Sequence, residues 1–366
     1  MAAKLRAGVI GLGMGGGHLG CYLEHPDVEV VAIADRREDR RALLPSRWPA
    51  FKGKVYHEGI DMIRNEKLDI LSVAVPNNQH AELTIAGLEA GANVLCEKPM
   101  AMNAREAQAM LDTAKRCGKK LGIDFSYRFN PQSRAMKDLV EGGALGNIYY
   151  ARTVWLRRAG IPGLAASNFN TGSGSPMGSW FFDKAQSGGG PLIDLGVHMI
   201  DLAIWLMGNP TPVAVSGNTY CKFADTDTSD SANSDFGDKK DDGTFDVEDL
   251  AMGLIRFDNG AVLQIEFSWA SNIKEENRFV ELRGTKSGVT WQDNEFEIFT
   301  EVDGQLIDIA PAGSVDRRGH KNNLAHYLDV VLDGAEPCFK PQQGVDMIKI
   351  LCAIYESAKT GFEVKL

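Results

Sequence analysis

The chain has 366 residues, of which 44% are hydrophobic and 24% charged, and its formal net charge is -10 at pH 7. A single hydrophobic core stops growing at about 250 to 300 residues, so this length predicts two domains. The excess of acidic residues disfavours a nucleic-acid-binding or membrane-binding surface and favours a small-molecule partner.

Apolar runs and amphipathic stretches alternate from residue 5 to about residue 126. The predicted strands are LRAGVIG, VEVVAIAD, DILSVAV, NVLCEKP and KLGIDFSY, and the clearest helices are HAELTIAGLEAG and NAREAQAMLDTAKRCG. Continuously apolar strands with helices between them are typical of a parallel sheet that is covered on both faces. We therefore predict an N-terminal, doubly wound α/β domain over residues 1–126.

The pattern changes near Phe125, where longer runs of alternating polar and apolar residues begin. After the helical stretch PQSRAMKDLVEGG come the predicted strands NIYYARTVWL, EDLAMGLIRF and AVLQIEFSWA, the last two joined by a turn at Asp258–Gly260. Two helices are expected at about residues 319–333 and 341–359. Alternation of this kind is typical of an antiparallel or mixed sheet, so we predict an α+β domain over residues 127–366.

Several features disfavour other classes of protein and site. Residues 224–249 are acidic and polar, and we interpret them as a solvated loop, because the spacing DTDTSD lacks the glycine and the terminal Glu of a calcium loop. The six cysteines form no C-x-x-C pair, which disfavours a zinc site and a disulfide framework. No apolar run reaches the about 18 residues of a membrane span, and the first one, AGVIGLGMGGG, is too rich in glycine for a signal peptide. We expect a cytoplasmic protein with no metal ion and no membrane partner.

A glycine-rich turn follows the first predicted strand. Gly11, Gly13 and Gly16 form the pattern G-x-G-x-x-G between a strand and a helix, and Asp35 ends the next strand. In this dinucleotide-binding fingerprint the first glycine permits a tight turn, the second admits a pyrophosphate to the helix N-terminus, and the third allows close packing of the helix on the strand. The acid accepts hydrogen bonds from a ribose diol. The N-terminal domain is therefore predicted to be a Rossmann domain that binds a dinucleotide.

The choice between NAD and NADP depends on the residues after the second predicted strand. Asp35 repels a 2′-phosphate and favours NAD, whereas Arg36 and Arg37, which follow it, are able to pair with that phosphate or stack on adenine. We predict NAD rather than NADP. A Rossmann-type fold that holds another nucleotide, or none, is the alternative.

Three further residues have the chemistry of a catalytic site. Lys98 follows a predicted strand at its carboxyl end, where ligands bind to doubly wound sheets, and the following Pro99 is a candidate for a cis peptide. In GGGPLIDLGVHMID, Asp194 and His198 are four residues apart and share one helix face. The alternative is structural: His198 is a core histidine that Asp194 satisfies, and Lys98 has no part in chemistry.

The chain resembles the Gfo/Idh/MocA family of sugar and cyclitol oxidoreductases. The resemblance is carried by the glycine fingerprint, EKP at residues 97–99, YRFNP at residues 127–131, GGGPLIDLGVHMID, and AIYESAKTGFEV near the end of the chain. It implies a Rossmann domain followed by a domain with a large open sheet, mostly antiparallel, whose face carries the substrate. It also implies that Lys98, Asp194 and His198 are the catalytic residues.

The resemblance implies hydride transfer between a secondary hydroxyl of a sugar or glycoside and nicotinamide. RRAGIPG, at residues 157–163, is similar to members that act on glycosides and sugars, some of them at C3 of a pyranose. His198 or Lys98 would take the hydroxyl proton, and Lys98 would stabilise the alkoxide. The alternatives are an NAD-retaining hydrolase or lyase that oxidises C3 transiently, a myo-inositol or other cyclitol dehydrogenase, and a cofactor-binding regulator without turnover.

We expect further residues to line the two binding sites. The cofactor set is Gly11, Gly13, Met14, Gly16, Asp35, Arg36, Pro76, Asn77, His80, Glu97 and Lys98, and the substrate set is Lys98, Arg128, Arg157, Asp194 and His198. The alternative for Arg128 is an ion pair with an acid, and for Arg157 a solvated strand face. Large apolar residues lie on both faces of the predicted strands NIYYARTVWL and AVLQIEFSWA. This pattern predicts a homodimer or homotetramer that associates through the C-terminal sheet.

Overall fold

The computed structural model describes residues 4–158, 179–223, 245–293, 295–310 and 319–366. Within these ranges the chain forms two compact units. The first unit holds the chain as far as Phe125 together with His320–Ile348, and the second holds the described residues from Ser126 to Gly319 and the final Lys349–Leu366.

Six parallel strands form the sheet of the first unit, in the order β3-β2-β1-β4-β5-β6. The strands are β1 Leu5–Ile10, β2 Val28–Ala34, β3 Lys54–Tyr56, β4 Ile70–Val73, β5 Asn93–Cys96 and β6 Leu121–Ile123. This order confirms the predicted doubly wound parallel sheet, because the chain reverses direction across the sheet between β1 and β4. The strand β3 was not predicted, since Lys54 and Val55 are exposed and the strand carries no apolar run.

Helices connect these parallel strands. They are α1 Gly15–Glu24, α2 Glu38–Ala42, α3 Leu44–Arg47, α4 Gly59–Asn65, α5 His80–Glu89 and α6 Ala104–Cys117, with a 3₁₀ turn at Asn77–Gln79. In α6, Asn103 caps the first turn by accepting the Glu106 N–H, and Gly118 ends the helix with a φ of 63°. Local sequence signals therefore set both ends of this helix.

The second unit contains a sheet of nine strands, in the order β14-β13-β12-β11-β7-β10-β9-β8-β15. The strands are β7 Ile148–Leu156, β8 Pro212–Tyr220, β9 Leu250–Phe257, β10 Val262–Ser268, β11 Asn277–Gly284, β12 Gly288–Gln292, β13 Glu295–Val302, β14 Gln305–Ile309 and β15 Val364–Lys365. Only the pairing of β7 with β10 is parallel among the described strand pairs of this sheet. The prediction of a large, mostly antiparallel sheet is confirmed.

The later helices are α7 Pro131–Glu141, α8 Lys184–Ser187, α9 Val197–Leu206, α10 Gly319–Leu332 and α11 Pro341–Thr360. A π-helical turn, Leu192–Gly196, leads directly into α9, and α9 packs on β7 and β11. Within the described ranges, one helical stretch, Lys184–Leu206, is long and apolar enough to cross a membrane, and 83% of its most apolar window is buried inside the protein. This burial is typical of a core helix of the sheet domain.

Residues late in the chain complete the core of the first unit. Leu324, Tyr327 and Leu328 of α10 are at most 5% exposed and belong to the same buried cluster as Val9 of β1. For this reason His320–Ile348 groups with the first unit, although the predicted division places every residue after 126 in the second domain. Burial against a distant strand is not visible in the helical pattern itself.

Candidate active site

The glycine turn after β1 is tied to the end of β2. Gly11 has a φ of +89°, and a Cβ built on it would lie 2.0 Å from the Ala74 carbonyl oxygen, so a glycine is required here. The Gly11 N–H donates to the Ala34 carbonyl at 2.8 Å, and the Leu12 N–H donates to Asp35 Oδ2 at 2.6 Å. Hydrogen bonds therefore join the glycine turn directly to Asp35 and the end of β2.

The predicted role of Gly16 in packing the helix on the strand is wrong, because Gly15 has that role. A Cβ on Gly15 would lie 3.1 Å from Val9 Cγ1 of the strand, whereas a Cβ on Gly16 would lie 2.8 Å from Cζ2 of Trp48. Successive helical residues are turned by about 100°, so only one of two neighbouring glycines faces the sheet. Met14, just before α1, is 49% exposed.

Asp35 has a carboxylate held in place by backbone donors. It is 6% exposed, and besides the Leu12 N–H it accepts the Arg37 N–H on Oδ1 at 2.8 Å. Such a fixed acid at the end of β2 fits a ribose diol without having to move.

Arg40, not Arg36, is the arginine beside this acid. The Arg36 side chain is 62% exposed and pairs with Glu58 at 2.8 Å. Arg40 Nη1 lies 3.6 Å from Asp35 Oδ2 and 3.2 Å from the place where Gly13 would carry a Cβ. Arg40 was not predicted as a cofactor residue, since α2 brings it back to the glycine turn only after folding.

The segment after β4 contains three of the predicted cofactor residues. Pro76 precedes the 3₁₀ turn that begins at Asn77, which is 6% exposed. His80, at the start of α5, has both ring nitrogens at backbone carbonyls: Nδ1 lies 2.7 Å from Pro99 O and Nε2 lies 2.9 Å from Val75 O. Burial lowers the pKa of His80. Its ring contacts the backbone beside Lys98, and its contact with the cofactor stays a prediction.

Glu97 and Lys98 have different surroundings. The Lys98–Pro99 peptide, a candidate in the sequence, is cis, and Lys98 is half-buried. Glu97 is 5% exposed, and its Oε1 lies 3.2 Å from His18 Nε2. Its carboxylate therefore contacts His18 inside the first unit, and its contact with the cofactor stays a prediction.

His18 is the centre of a buried charged cluster. Its Nε2 lies 3.2 Å from Glu97 Oε1 and 3.2 Å from Asp124 Oδ2, and its Nδ1 lies 3.0 Å from Ser72 Oγ. Burial lowers the pKa of His18, but the hydrogen bonds and charges of Asp124 and Glu97 outweigh burial and raise the pKa to about 9. The ring is therefore an imidazolium at neutral pH.

This cluster predicts a pH-dependent stability. Because the pKa of His18 is raised from 6.5 to about 9 on folding, its contribution is complete below pH 6.5 and is lost as the pH rises to about 9. We expect the free energy of unfolding, measured by urea denaturation, to fall across this window, and the His18→Gln variant to lose that part of the slope. A wild type and a variant with parallel curves would contradict the charged state of His18.

In the second unit, Asp194 and His198 lie at the start of the apolar helix. Asp194 is part of the π-helical turn, and its Oδ2 accepts the indole N–H of Trp269 at 3.1 Å. His198 follows in the first turn of α9, and its ring lies 5.3 Å from the ring of Tyr127. The turn is π-helical rather than α-helical, a local change that is common at functional sites.

Two of the glycines before this turn make room for other atoms of the protein. A Cβ on Gly189 would lie 1.8 Å from Tyr355 Oη, and a Cβ on Gly190 would lie 1.9 Å from the Glu248 carbonyl oxygen. The Glu248 carboxylate accepts the Gly190 N–H at 2.9 Å and the Leu192 N–H at 3.1 Å. Glu248 thus caps the turn that carries Asp194.

This cap corrects the interpretation of the acidic segment at its end. Residues 224–244 lie outside the described residues, but Glu248 and Asp249 are 7% and 1% exposed and are not part of a solvated loop. The Asp249 carboxylate accepts the Lys222 and Phe223 N–H groups. Backbone donors that only the folded chain supplies explain the burial of both acids.

Tyr127, the first residue of the YRFNP motif, was not predicted as a site residue and lies among aromatic rings. Its hydroxyl oxygen accepts a hydrogen bond from Arg278 Nη1 at 2.9 Å, and its ring has edge contacts with Trp155 and Trp291 at 6.1 and 5.9 Å. Burial raises the pKa of Tyr127, and Arg278 opposes this shift. The phenol next to His198 is therefore neutral and oriented.

The two predicted substrate arginines differ. Arg128 is 1% exposed and forms a bidentate pair with Asp201, with Nε to Oδ2 at 2.7 Å and Nη2 to Oδ1 at 2.5 Å. This burial contradicts the prediction that Arg128 binds substrate and supports the alternative, an ion pair with an acid. Arg157 is half-buried, and its guanidinium lies 5.3 Å from the centre of the Trp155 ring.

Comparisons with known proteins give the family of the chain. The Gfo/Idh/MocA family model described as an oxidoreductase family with an NAD-binding Rossmann fold matches residues 5–125, and the model of a Gfo/Idh/MocA C-terminal domain matches residues 133–290. D-glucoside 3-dehydrogenase of Escherichia coli (strain K12) is 32% identical over 368 residues, covering 100% of this chain and 98% of that protein.

Solved structures have the same fold. GenD2 from gentamicin A biosynthesis, in complex with NAD, is 26% identical with a TM-score of 0.76, covering 100% of this chain and 97% of that one. Levoglucosan dehydrogenase in complex with NADH and levoglucosan has a TM-score of 0.80 at 24% identity, covering 99% of each chain. The resemblance in the sequence is thereby confirmed, and the chain belongs to the Gfo/Idh/MocA oxidoreductase family with an NAD-binding Rossmann fold.

Proposed function

We propose that this protein is an NAD-dependent dehydrogenase that oxidises a secondary hydroxyl of a sugar or glycoside, with C3 of a pyranose as the reacting carbon. One observation carries the proposal: Asp194, in the π-helical turn before α9, contacts Trp269, and His198, in the first turn of α9, contacts Tyr127. Aromatic rings beside hydrogen-bonding acids are typical of carbohydrate sites. The full-length similarity to D-glucoside 3-dehydrogenase supports the choice of a glucoside and of C3.

The described residues of the first unit fit NAD. A Cβ at Gly11 has no room, the Asp35 carboxylate is fixed by backbone donors, and α1 begins at Gly15, so the positive end of its dipole lies at the glycine turn. Gly13, beside Arg40, admits the pyrophosphate. Bound NAD supplies the hydride acceptor of the reaction.

The chain's own residues supply the proton chemistry. His198 takes the proton of the reacting hydroxyl, because an imidazole ordinarily titrates near neutrality and suits general base catalysis. Asp194, whose Oδ2 accepts the Trp269 indole N–H, binds a neighbouring sugar hydroxyl. Lys98 stabilises the negative charge that develops on the substrate oxygen, the part that the family resemblance gives it.

The experiment that tests this function is an assay for net NADH formation. The protein is mixed with NAD and, separately, with a methyl D-glucoside, levoglucosan and myo-inositol, and NADH absorbance is followed. We expect NADH with the glucoside and a 3-keto product by NMR. Cleavage of the glucoside without NADH would instead indicate the cofactor-retaining hydrolase or lyase, and NADH with myo-inositol alone would indicate a cyclitol dehydrogenase.

Replacing Asp35 by alanine is expected to weaken NAD binding by about 1 to 3 kcal/mol, the value of hydrogen bonds to a charged acceptor. The variant loses the acceptor for the ribose diol and the bond from Leu12 N–H that holds the glycine turn. Fluorescence titration of NAD measures the change. Unchanged affinity for NAD would contradict the assignment of the fingerprint.

Arg40→Gln is the matched variant for this measurement. It removes the cation 3.6 Å from Asp35 Oδ2 and keeps the acid. We expect any binding of NADP to weaken more than binding of NAD, because a 2′-phosphate gains more from a guanidinium than a ribose diol does. Arg36→Gln, on the exposed ion pair with Glu58, serves as the control and is expected to change neither affinity.

We further propose a homodimer or homotetramer that associates through the sheet of the second unit. Large apolar side chains of the sheet are exposed, namely Tyr149 (53%), Met252 (38%), Phe299 (38%), Val302 (50%), Leu306 (88%) and Ile309 (45%). An apolar sheet surface of this kind normally finds a partner. Light scattering at micromolar concentration is expected to give a mass at least twice that of the chain, and a monomer would contradict the proposal.

We also propose that the enzyme acts in the cytoplasm. The assigned partners, NAD and a small carbohydrate, are found there. Fractionation of the source cells, with the NADH-forming activity as the marker, tests the location. Activity confined to an extracytoplasmic fraction would contradict it.

A further inference from the structure

Two buried histidines flank the peptide that carries Lys98. On one side, Glu97 Oε2 accepts the Lys98 backbone N–H at 3.3 Å, and Oε1 of the same carboxylate lies 3.2 Å from His18 Nε2. On the other side, the Pro99 carbonyl oxygen lies 2.7 Å from His80 Nδ1. The backbone of Lys98 is thus linked to His18 through the Glu97 carboxylate. The carbonyl of the next residue, Pro99, contacts His80.

The side chains around His18 are polar, and two of them are buried carboxylates. The polar and titratable neighbours are Tyr22 on its own helix, Ser72 of β4, Glu97 after β5, Asp124 after β6 and Asn323 of α10, which donates to Asp124 Oδ1 at 2.5 Å. The Glu97 and Asp124 residues are 5% and 0% exposed. Because a buried carboxylate needs a counter-charge, the imidazolium of His18 fixes where the Glu97 carboxylate lies.

His80 acts on the same backbone from a different element. It is fully buried at the start of α5, between the Val75 carbonyl oxygen, 2.9 Å from Nε2, and the Pro99 carbonyl oxygen, 2.7 Å from Nδ1. A neutral imidazole has one N–H, and we place it on Nδ1, which then donates to the Pro99 carbonyl. The two histidines thus connect α1 and α5, through Glu97 and Pro99, to the end of β5.

We propose that His18 and His80 are positioning residues for Lys98, His18 through the Glu97 carboxylate and His80 through the Pro99 carbonyl. The proposal rests on the proposed function, in which Lys98 stabilises the substrate oxygen. A side chain that stabilises a developing charge must be held closely, and a displacement of about 1 Å is able to cost about a hundredfold in rate. Neither histidine takes part in the chemistry.

The test compares His18→Gln and His80→Gln with Tyr22→Phe and Lys98→Ala. Tyr22→Phe is the matched control, because it removes a buried hydrogen bond to Ser72 at 2.7 Å beside His18 and leaves the contact of His18 with Glu97 intact. For each protein, kcat with a methyl D-glucoside, the Kd of NAD and the melting temperature are measured. The rate of Lys98 acetylation by acetic anhydride is measured without NAD, by mass spectrometry.

We expect each histidine variant to lower kcat about tenfold or more and to change the Lys98 acetylation rate several-fold, with the Kd of NAD within about threefold. Tyr22→Phe is expected to lower the melting temperature alone. If the histidine variants behave like Tyr22→Phe and Lys98→Ala is inactive, the proposal is overturned, but the role of Lys98 is not. Full activity of Lys98→Ala would instead overturn the proposed role of Lys98 itself.

Glu97 variants decide the same point if His18→Gln does not fold. The amide oxygen of Glu97→Gln still accepts the Lys98 N–H, whereas Glu97→Ala has no acceptor, so we expect Glu97→Ala to lose more turnover. Wild-type turnover in both would overturn the proposal.

Because His18, Glu97 and Asp124 also have the spacing of metal ligands, Zn²⁺ is titrated into the chelator-treated protein. Stoichiometric binding that His18→Gln abolishes would overturn the imidazolium role.

Discussion

Replacing His198 by alanine is expected to lower kcat about a hundredfold or more, the usual contribution of a general base, while the Kd of NAD stays nearly unchanged. The cofactor fingerprint lies in the other unit, so the loss falls on proton transfer alone. The measurement combines kcat with a methyl D-glucoside, NAD titration and melting temperature on one sample. Asp194→Asn is expected to lose activity as well, without unfolding.

His57→Ala is the matched control, because the His57 side chain is 61% exposed. It is expected to match the wild type in all three measurements. If His198 were only a core histidine, its removal would lower the melting temperature, at a cost of about 1 to 3 kcal/mol, and spare turnover in the folded fraction. A folded, fully active His198→Ala protein would end its assignment as the base.

Replacing Arg128 by alanine is expected to destabilise the second unit by about 3 to 5 kcal/mol, the cost of leaving one charge of a buried pair without its partner. Asp201 is 3% exposed, and removal of the bidentate guanidinium leaves its carboxylate in a closed apolar site. Burial by itself raises the pKa of Asp201, so the loss of stability is expected to be smaller at acidic pH, where the carboxyl is protonated, than at neutral pH. Urea denaturation measures the loss.

The double variant Arg128→Met with Asp201→Leu tests the same explanation. Replacing both charges by apolar side chains of similar size is expected to recover most of the stability, since neither charge is then buried alone. Arg36→Ala, on the exposed pair with Glu58, is the control and should cost about 0 to 1 kcal/mol. A double variant as unstable as Arg128→Ala would show that packing, rather than the unpaired charge, causes the loss.

The glycine fingerprint illustrates how far local sequence carries a prediction. A positive φ at Gly11 and an acid at the end of β2 follow from spacing along the chain, and the structure has both. Which of Gly15 and Gly16 meets the strand depends on the rotation of α1 about its axis. The arginine nearest Asp35 depends on α2, which returns Arg40 to the turn.

The triple glycine before Asp194 illustrates the opposite case. The sequence places these glycines next to an acid and an imidazole, and that pattern suggests room for a ligand. In the fold, Gly189 and Gly190 make room for Tyr355 and Glu248. Both partners are distant in sequence, and no periodicity connects them to the glycines.

The sequence by itself determined the parallel and antiparallel sheets, the cofactor turn and the family, because each of these depends on hydrophobic period, turn residues and short motifs that neighbouring residues define. Tertiary structure alone decided that His320–Ile348 completes the first core, that Arg128 pairs with Asp201, and that Glu97 faces His18. A polar residue satisfied by a distant partner and one aimed at a ligand have the same sequence pattern. The difference arises only when the chain, in excluding water from its core, must supply every buried charge with a partner from another element.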